Sequence, residues 1–177
     1  MGVQPTVQWQ DQQVPIPMTG QSSQATTPSF WKDTNGATEG VITASAAAPG
    51  IAVTPKTVPF VDAYQKKWGV SPAYDGFTNY DLVYILADAI HRNQGSTDPD
   101  KMVDALVEKT DYVGTIGRWA FYGKSDQFTH ALKYGPGFIQ GINLQWQNGK
   151  QVAIWPKAVA NAKVKFPAFV KVQAASN

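Results

Sequence analysis

The chain contains no cysteine, which excludes disulfide frameworks and thiolate metal sites and ties the protein to no redox compartment. It also lacks any apolar run approaching the ~20 residues that a membrane-spanning helix needs. Its opening, Met1-Gly2-Val3-Gln4-Pro5, has neither the basic nor the apolar region of a signal peptide, so any export signal is expected to lie outside this chain. Histidine is scarce: His91 and His130 stand far apart, without a second histidine, cysteine or carboxylate at metal-ligand spacing. Neither a metal site nor a cofactor is expected. Charge of one sign is missing too. The 15 basic and 13 acidic residues leave a net charge of +2 spread along the chain, which argues against nucleic acid and anionic membrane as partners.

What is present suffices for a core: 177 residues at 43% hydrophobic content, enough for one domain or two small ones. Six tryptophans, seven tyrosines and eight phenylalanines suit either a dense core or a cleft that stacks on flat ligands. The stretch to about Thr34 is rich in Gln, Ser, Thr and Pro, and its Val14-Pro15-Ile16-Pro17-Met18 reads as an edge strand or extended segment, because alternate prolines rule out a helix interior. Thr19-Gly20-Gln21-Ser22-Ser23-Gln24 then reads as a loop, Asn35-Gly36 as a turn, and Gly40 to Ser45 as a strand.

From Thr57 the period becomes helical, with Phe60, Val61, Tyr64 and Trp68 on one face and Gly69 as the stop. A second helix is expected from near Thr78, with Leu82, Ile85, Leu86 and Ala89 at core spacing, ending around Asn93-Gln94-Gly95. A third starts at Asp98-Pro99 and buries Met102, Val103, Leu106 and Val107. Helices in this number need a sheet or one another as cover. The run Tyr112 to Phe121, punctuated by Gly114 and Gly117, suits a bent or exposed strand, and Ile142 to Trp155 alternates around Asn148-Gly149 as a two-residue hairpin.

Catalytic signatures are sparse. No Gly-x-Ser-x-Gly or Ser-x-x-Lys element occurs. Gly114-Thr115-Ile116-Gly117 lacks the Lys-Ser/Thr of a phosphate loop and reads as a turn. Asp81 and Asp88, seven residues apart on a helix, are expected on its solvated or capping face. An enzyme is therefore not expected. Two segments are candidate binding elements. Tyr74-Asp75-Gly76-Phe77-Thr78-Asn79-Tyr80 leads into a helix N-terminus, where backbone N–H groups favour anions and carbonyl oxygens. It can equally be a packed and capped helix entrance. The second candidate is the loop holding Thr19 and Gln21, which can also be an ordinary polar loop.

The ordered set Phe60-Val61-Asp62-Ala63-Tyr64-Gln65-Lys66-Lys67-Trp68-Gly69, Tyr80-Asp81-Leu82-Val83-Tyr84-Ile85-Leu86-Ala87-Asp88-Ala89-Ile90, Asp98-Pro99-Asp100-Lys101 and Gly114-x-x-Gly117 resembles the leucine/isoleucine/valine-binding group of type I periplasmic solute-binding proteins, over roughly residues 14 to 155. The resemblance implies an α/β fold of two Rossmann-like lobes, of which this chain is the C-terminal half. Residues 1–48 would then end the C-terminal lobe and make the first crossing, 49–130 would return to the N-terminal lobe, and 131–177 would cross back. It implies a periplasmic binding component of an ABC importer, with a membrane permease, a small-molecule ligand and the missing N-terminal half as partners. A glutamate that holds the ligand ammonium in the group corresponds here to Gln21. That departure favours a neutral amide or an organic or aromatic acid over an ordinary amino acid. Phe121-Tyr122-Gly123-Lys124-Ser125-Asp126 likewise departs from the acidic turn common in the group. The expected site residues are Thr19, Gln21, Tyr74, Asp75, Phe77 and Tyr80. A sensor module and an amide- or ester-acting enzyme are the alternatives.

Overall fold

Period-2 and period-3.6 segments separate into two packing bodies in the computed structural model, which describes residues 2–172. The chain opens with α1 (Val3–Asp11), β1 (Thr19–Gly20), a 3-10 turn at Gln24–Thr26, α2 (Phe30–Asp33) and β2 (Ile42–Ser45). A helical stretch follows, made of α3 (Thr57–Trp68), α4 (Tyr74–Arg92) and α5 (Pro99–Lys109), with the short strands β3 (Tyr112–Val113) and β4 (Arg118–Trp119) after it. Strands β5 (Ile142–Gln147) and β6 (Lys150–Trp155) complete the regular structure.

The sheet has the order β1-β2-β5-β6, parallel between β1 and β2 and antiparallel elsewhere. Its hairpin is the expected one. Asn148 and Gly149 take φ of 52° and 78°, the left-handed geometry that matches the twist of the flanking strands. Strand β5 is covered on both faces: Ile142, Leu144 and Trp146 pack into apolar clusters, and Gln145 and Gln147 are also buried. Trp146 anchors one side, its Nε1 donating to Ala25 O at 2.8 Å, among Trp9, Phe30, Val41 and Val170.

On the polar side of β5 the returning tail is bound by amides. Gln145 Nε2 donates to Gly40 O at 2.9 Å and to Lys165 O, while its Oε1 accepts from Lys165 N at 2.9 Å and from Gln147 Nε2 at 2.7 Å. Gln147 Nε2 reaches Lys163 O at 2.7 Å as well. Each buried amide group therefore finds backbone partners, as burial demands.

The second body gathers Phe60, Val61, Phe77, Ile85, Ile116, Trp119 and Ile139 around α3, α4 and the β3–β4 hairpin. Helix α3 runs as expected to Gly69, whose φ of 72° closes it. Helix α5 has the expected Asp98 cap, the side chain accepting from Lys101 N at 3.1 Å, and Pro99 in its first turn.

Several expectations are corrected. Helix α1 falls in the Gln-, Ser-, Thr- and Pro-rich opening, where no helix was expected; Thr6 and Trp9 are buried on it, and tertiary docking overrides its polar composition. The edge strand is Thr19–Gly20, inside the expected loop, and Val14 to Met18 approaches it through a bend at Pro15–Ile16, where Ile16 N donates to Val14 O at 2.9 Å, rather than as a strand or extended segment. Tyr112 to Phe121 forms two strands and a turn rather than one bent or exposed strand. Trp68, Leu86 and Val103 are exposed rather than core. Asp81, expected on a solvated face, is fully buried.

Candidate functional site

A cavity of about 570 Å³ opens where the two bodies meet. Four pieces of chain border it: Gln21 to Ser23 just past β1, Ala44 to Ala46 at the end of β2, Tyr74 in the first turn of α4, and Tyr134, Ile139 and Gly141 before β5. Each piece arrives there for a local reason. Pairing of Thr19–Gly20 with Ile42–Thr43 ends at Gly20, which releases Gln21 at the sheet edge. Tyr134 Oη accepts a hydrogen bond from Gly141 N and so closes the segment on itself.

The lining is uncharged, with a few polar groups set in a mostly apolar wall. It presents the Gln21 amide, serine hydroxyls and two phenols, and none of its residues is ionic. Ser45 Oγ is already committed, donating to Ala47 O at 2.7 Å, and Ser22 Oγ accepts from Ala25 N at 3.2 Å. Helix α4 begins beside the cavity with Ala73 as N-cap and no side-chain cap. Its first N–H groups thus lie at the border with the positive end of the helix dipole. Hydrogen-bonding groups of this kind, with no fixed counter-ion, suit a small polar organic molecule.

Of the expected site residues, the structure brings Gln21 and Tyr74 together on this cavity. Thr19 spends its backbone on the β1–β2 pairing, and Asp75 sits exposed in the first turn of α4, outside the lining. Phe77 is a core residue, fully buried with its ring 5.1 Å from that of Phe60. Tyr80 points to a different groove, stacked 4.5 Å from Phe60 and 5.0 Å from Tyr84. There the Tyr80 hydroxyl donates to that of Tyr84 at 3.4 Å, and this bond, with burial and neighbouring charge, pushes the Tyr80 pKa up to about 12. The expected loop at Tyr74 to Tyr80 is in fact helix, because α4 starts four residues before Thr78. Phe77 and Asp81, at i and i+4 with Ile85 and Ala89, are the buried stripe that the shorter helix concealed. Tyr134, Ile139 and Gly141 had no sequence signal, lying in irregular chain.

What holds α4 against the cavity is the buried carboxylate of Asp81. Its oxygens accept from Thr115 N at 2.8 Å and from Trp119 Nε1 at 3.0 Å. The same turn is gripped from the start of α3 and the chain just before it: Thr57 Oγ1 donates to Thr115 O and Thr54 Oγ1 to Gly114 O, both at 2.7 Å. Gly114 is required here, since a Cβ would lie on the Asp81 carboxylate. Among the described residues no group of three or more His, Cys, Asp and Glu is placed to hold a metal ion.

No protein-family model matches the chain. Individual proteins do. Leu/Ile/Val-binding protein homolog 8 of Brucella melitensis is 30% identical over 122 residues, which cover 67% of this chain but 28% of the relative. Among solved structures, the leucine-binding protein LivK of Thermotoga maritima superposes with a TM-score of 0.64 at 22% identity, over 86% of this chain and 41% of that one. The branched-chain amino acid transporter substrate-binding protein LivJ of Streptococcus pneumoniae, solved with isoleucine, gives 0.65 at 19% identity, over 85% of this chain and 39% of that one. The chain thus spans well under half the length of the proteins it matches.

Proposed function

We propose that this chain, whose fold is that of the type I periplasmic binding proteins and whose sequence resembles their leucine/isoleucine/valine-binding group, is the C-terminal half of an exported solute-binding protein that serves an ABC importer. Residues 1–48 and 131–177 belong to one lobe in this reading and 49–130 to the other, with the crossings at the cavity. The apolar cluster of Trp9, Ala25, Phe30, Val41, Trp146 and Val170 lies wholly within the first of these lobes, which supports the division. The function is reversible capture rather than turnover. Lobe closure traps a small polar organic solute, and the closed protein docks on a membrane permease in the periplasm.

The observation that carries this reading is the cavity that unites Gln21, from the sheet body, with Tyr74, from the helical body. A ligand there touches both lobes, which is what hinge closure needs. An uncharged amide at Gln21 supports amides and organic or aromatic acids over molecules with a free ammonium, because a buried cation without a partner is costly. Titration calorimetry on the parent protein containing this chain, with a panel of amino acids, carboxamides and carboxylates, tests the reading. At least one compound should bind, and Gln21→Ala or Tyr74→Ala should weaken it about tenfold, equivalent to ~1.4 kcal/mol. A folded parent protein that binds nothing in the panel would sink the proposal.

A further inference from the structure

The polar groups that border the cavity differ in what they have left to give. Ser45 Oγ has spent its hydrogen on Ala47 O. Among the described residues the Gln21 amide and the Tyr74 hydroxyl have no hydrogen-bond partner, and Tyr134 Oη has one, the N–H of Gly141 that it accepts. A hydroxyl that accepts in this way still holds its own hydrogen. Tyr134 is 64% exposed and Tyr74 43%, so both phenols stand open to a molecule in the cavity rather than packed into its wall.

The contact between Tyr134 and Gly141 is set by the chain around it. It lies in the link that joins the helical body to the sheet: Lys133 N donates to Ala120 O at 2.8 Å, Gly135 N donates to Ile139 O at 2.9 Å, and β5 begins at Ile142. Gly141 is not among the glycines of positive φ, so its backbone makes no demand for glycine. A Cβ there would instead press on Tyr134 Oη. The phenol that leans on position 141 therefore explains the glycine. An N–H donated to Tyr134 Oη also polarises the O–H and makes it a stronger donor, most of all toward a charged acceptor. The uncapped start of α4 at the same border favours negative charge as well.

We propose that Tyr134 is the specificity-determining residue of this cavity, its hydroxyl donating to the carboxylate of a captured organic acid. Gly141 is its positioning residue, because the N–H and the missing side chain at 141 set where the phenol oxygen lies. The inference rests on the reading above that the cavity holds a solute, and it narrows the choice between amides and acids to the acids.

Titration calorimetry on the parent protein with benzoate and benzamide, alike in shape and unlike in charge, tests it. Benzoate should bind about fivefold or more tightly than benzamide. Tyr134→Phe keeps the ring and removes the hydroxyl. It should weaken benzoate about tenfold and benzamide about threefold or less, because a hydrogen bond to a charged group is the stronger of the two. Gly141→Ala should weaken benzoate as well, yet add nothing in a Tyr134→Phe background, where no hydroxyl is left to displace. A purely structural role for Tyr134 would weaken both probes alike, and that result overturns the proposal. So does a preference for benzamide, or a Tyr134→Phe variant that binds benzoate as tightly as the parent protein. Failure of both probes to bind overturns it too, while the broader reading of solute capture survives that failure if another compound of its panel binds.

Discussion

In the helical body, one buried carboxylate, Asp81, holds a turn. In the sheet body, one buried amide, Gln145, holds a tail. The chemistry differs because the partners differ. The turn at Gly114 to Gly117 aims N–H groups at one point, Thr115 N at 2.8 Å and Ile116 N at 3.4 Å, with the Trp119 indole N–H beside them. Only donors converge there, and an ionised carboxylate, which accepts and never donates, answers all of them. The tail instead runs past β5 as extended backbone, offering Lys165 N and Lys165 O to the same side chain. An amide, with an acceptor and two donors, answers such a segment much as a neighbouring strand would. Which polar residue is buried is thus decided by the sign of the backbone groups it must satisfy.

The largest way to break this comparison is Asp81→Ala. It strands the Thr115 and Trp119 donors in a dry core, and the expected loss is about 3–5 kcal/mol in denaturant unfolding. Gln145→Ala follows, at about 2–3 kcal/mol, because Gly40 O and Lys165 N lose a neutral rather than a charged partner. Its particular signature is faster amide exchange at Lys165, with the Thr115 amide unaffected. Equal losses from the two variants would show that donor sign and charge do not govern these latches.

A smaller change sharpens the first half of the comparison. Gly114→Ala places a methyl on the Asp81 oxygens, and relief of that overlap should cost about 1–3 kcal/mol. In an Asp81→Ala background the overlap is gone, so the Gly114→Ala penalty should fall by at least about 0.5 kcal/mol. Additive penalties would mean that Gly114 is needed for its backbone alone.

Much of this was legible in local chemistry. The Asn148-Gly149 turn, the Gly69 stop and the Asp98 cap each satisfy their own neighbours within a few residues, so sequence suffices to find them. The resemblance to the binding-protein group was legible too, because it lies in the order of such segments. What was not legible depends on distant partners. Asp81 is separated from Thr115 by 34 residues, and a carboxylate on a helix is ordinarily solvated until something across the fold claims it. Gln21 and Tyr74 were readable as candidates, but the cavity that unites them also needs Tyr134 and Gly141, held by a contact no periodicity encodes. Tyr80 and Phe77 were misplaced for a simpler reason. Without a side-chain cap at Ala73, the true start of α4 has no signature.

The smallest expected effect lies at the surface of the same hairpin whose interior Asp81 commands. Arg118 on β4 pairs in two places with Asp111, and its guanidinium holds the Asp111 carboxyl below the ordinary aspartate range. The sign follows from linkage. A carboxyl whose folded value is depressed contributes stability above its unfolded value, and that contribution is lost as pH falls through the folded value. Both side chains are largely in water, so the pair should weaken with added salt and contribute little. Carboxyl NMR titration of Asp111 should show its value rise toward the ordinary one in Arg118→Gln, with unfolding at neutral pH scarcely changed. A stability loss comparable to that of Asp81→Ala would mean that the exposed pair, and not the buried carboxylate, fixes the hairpin against α4.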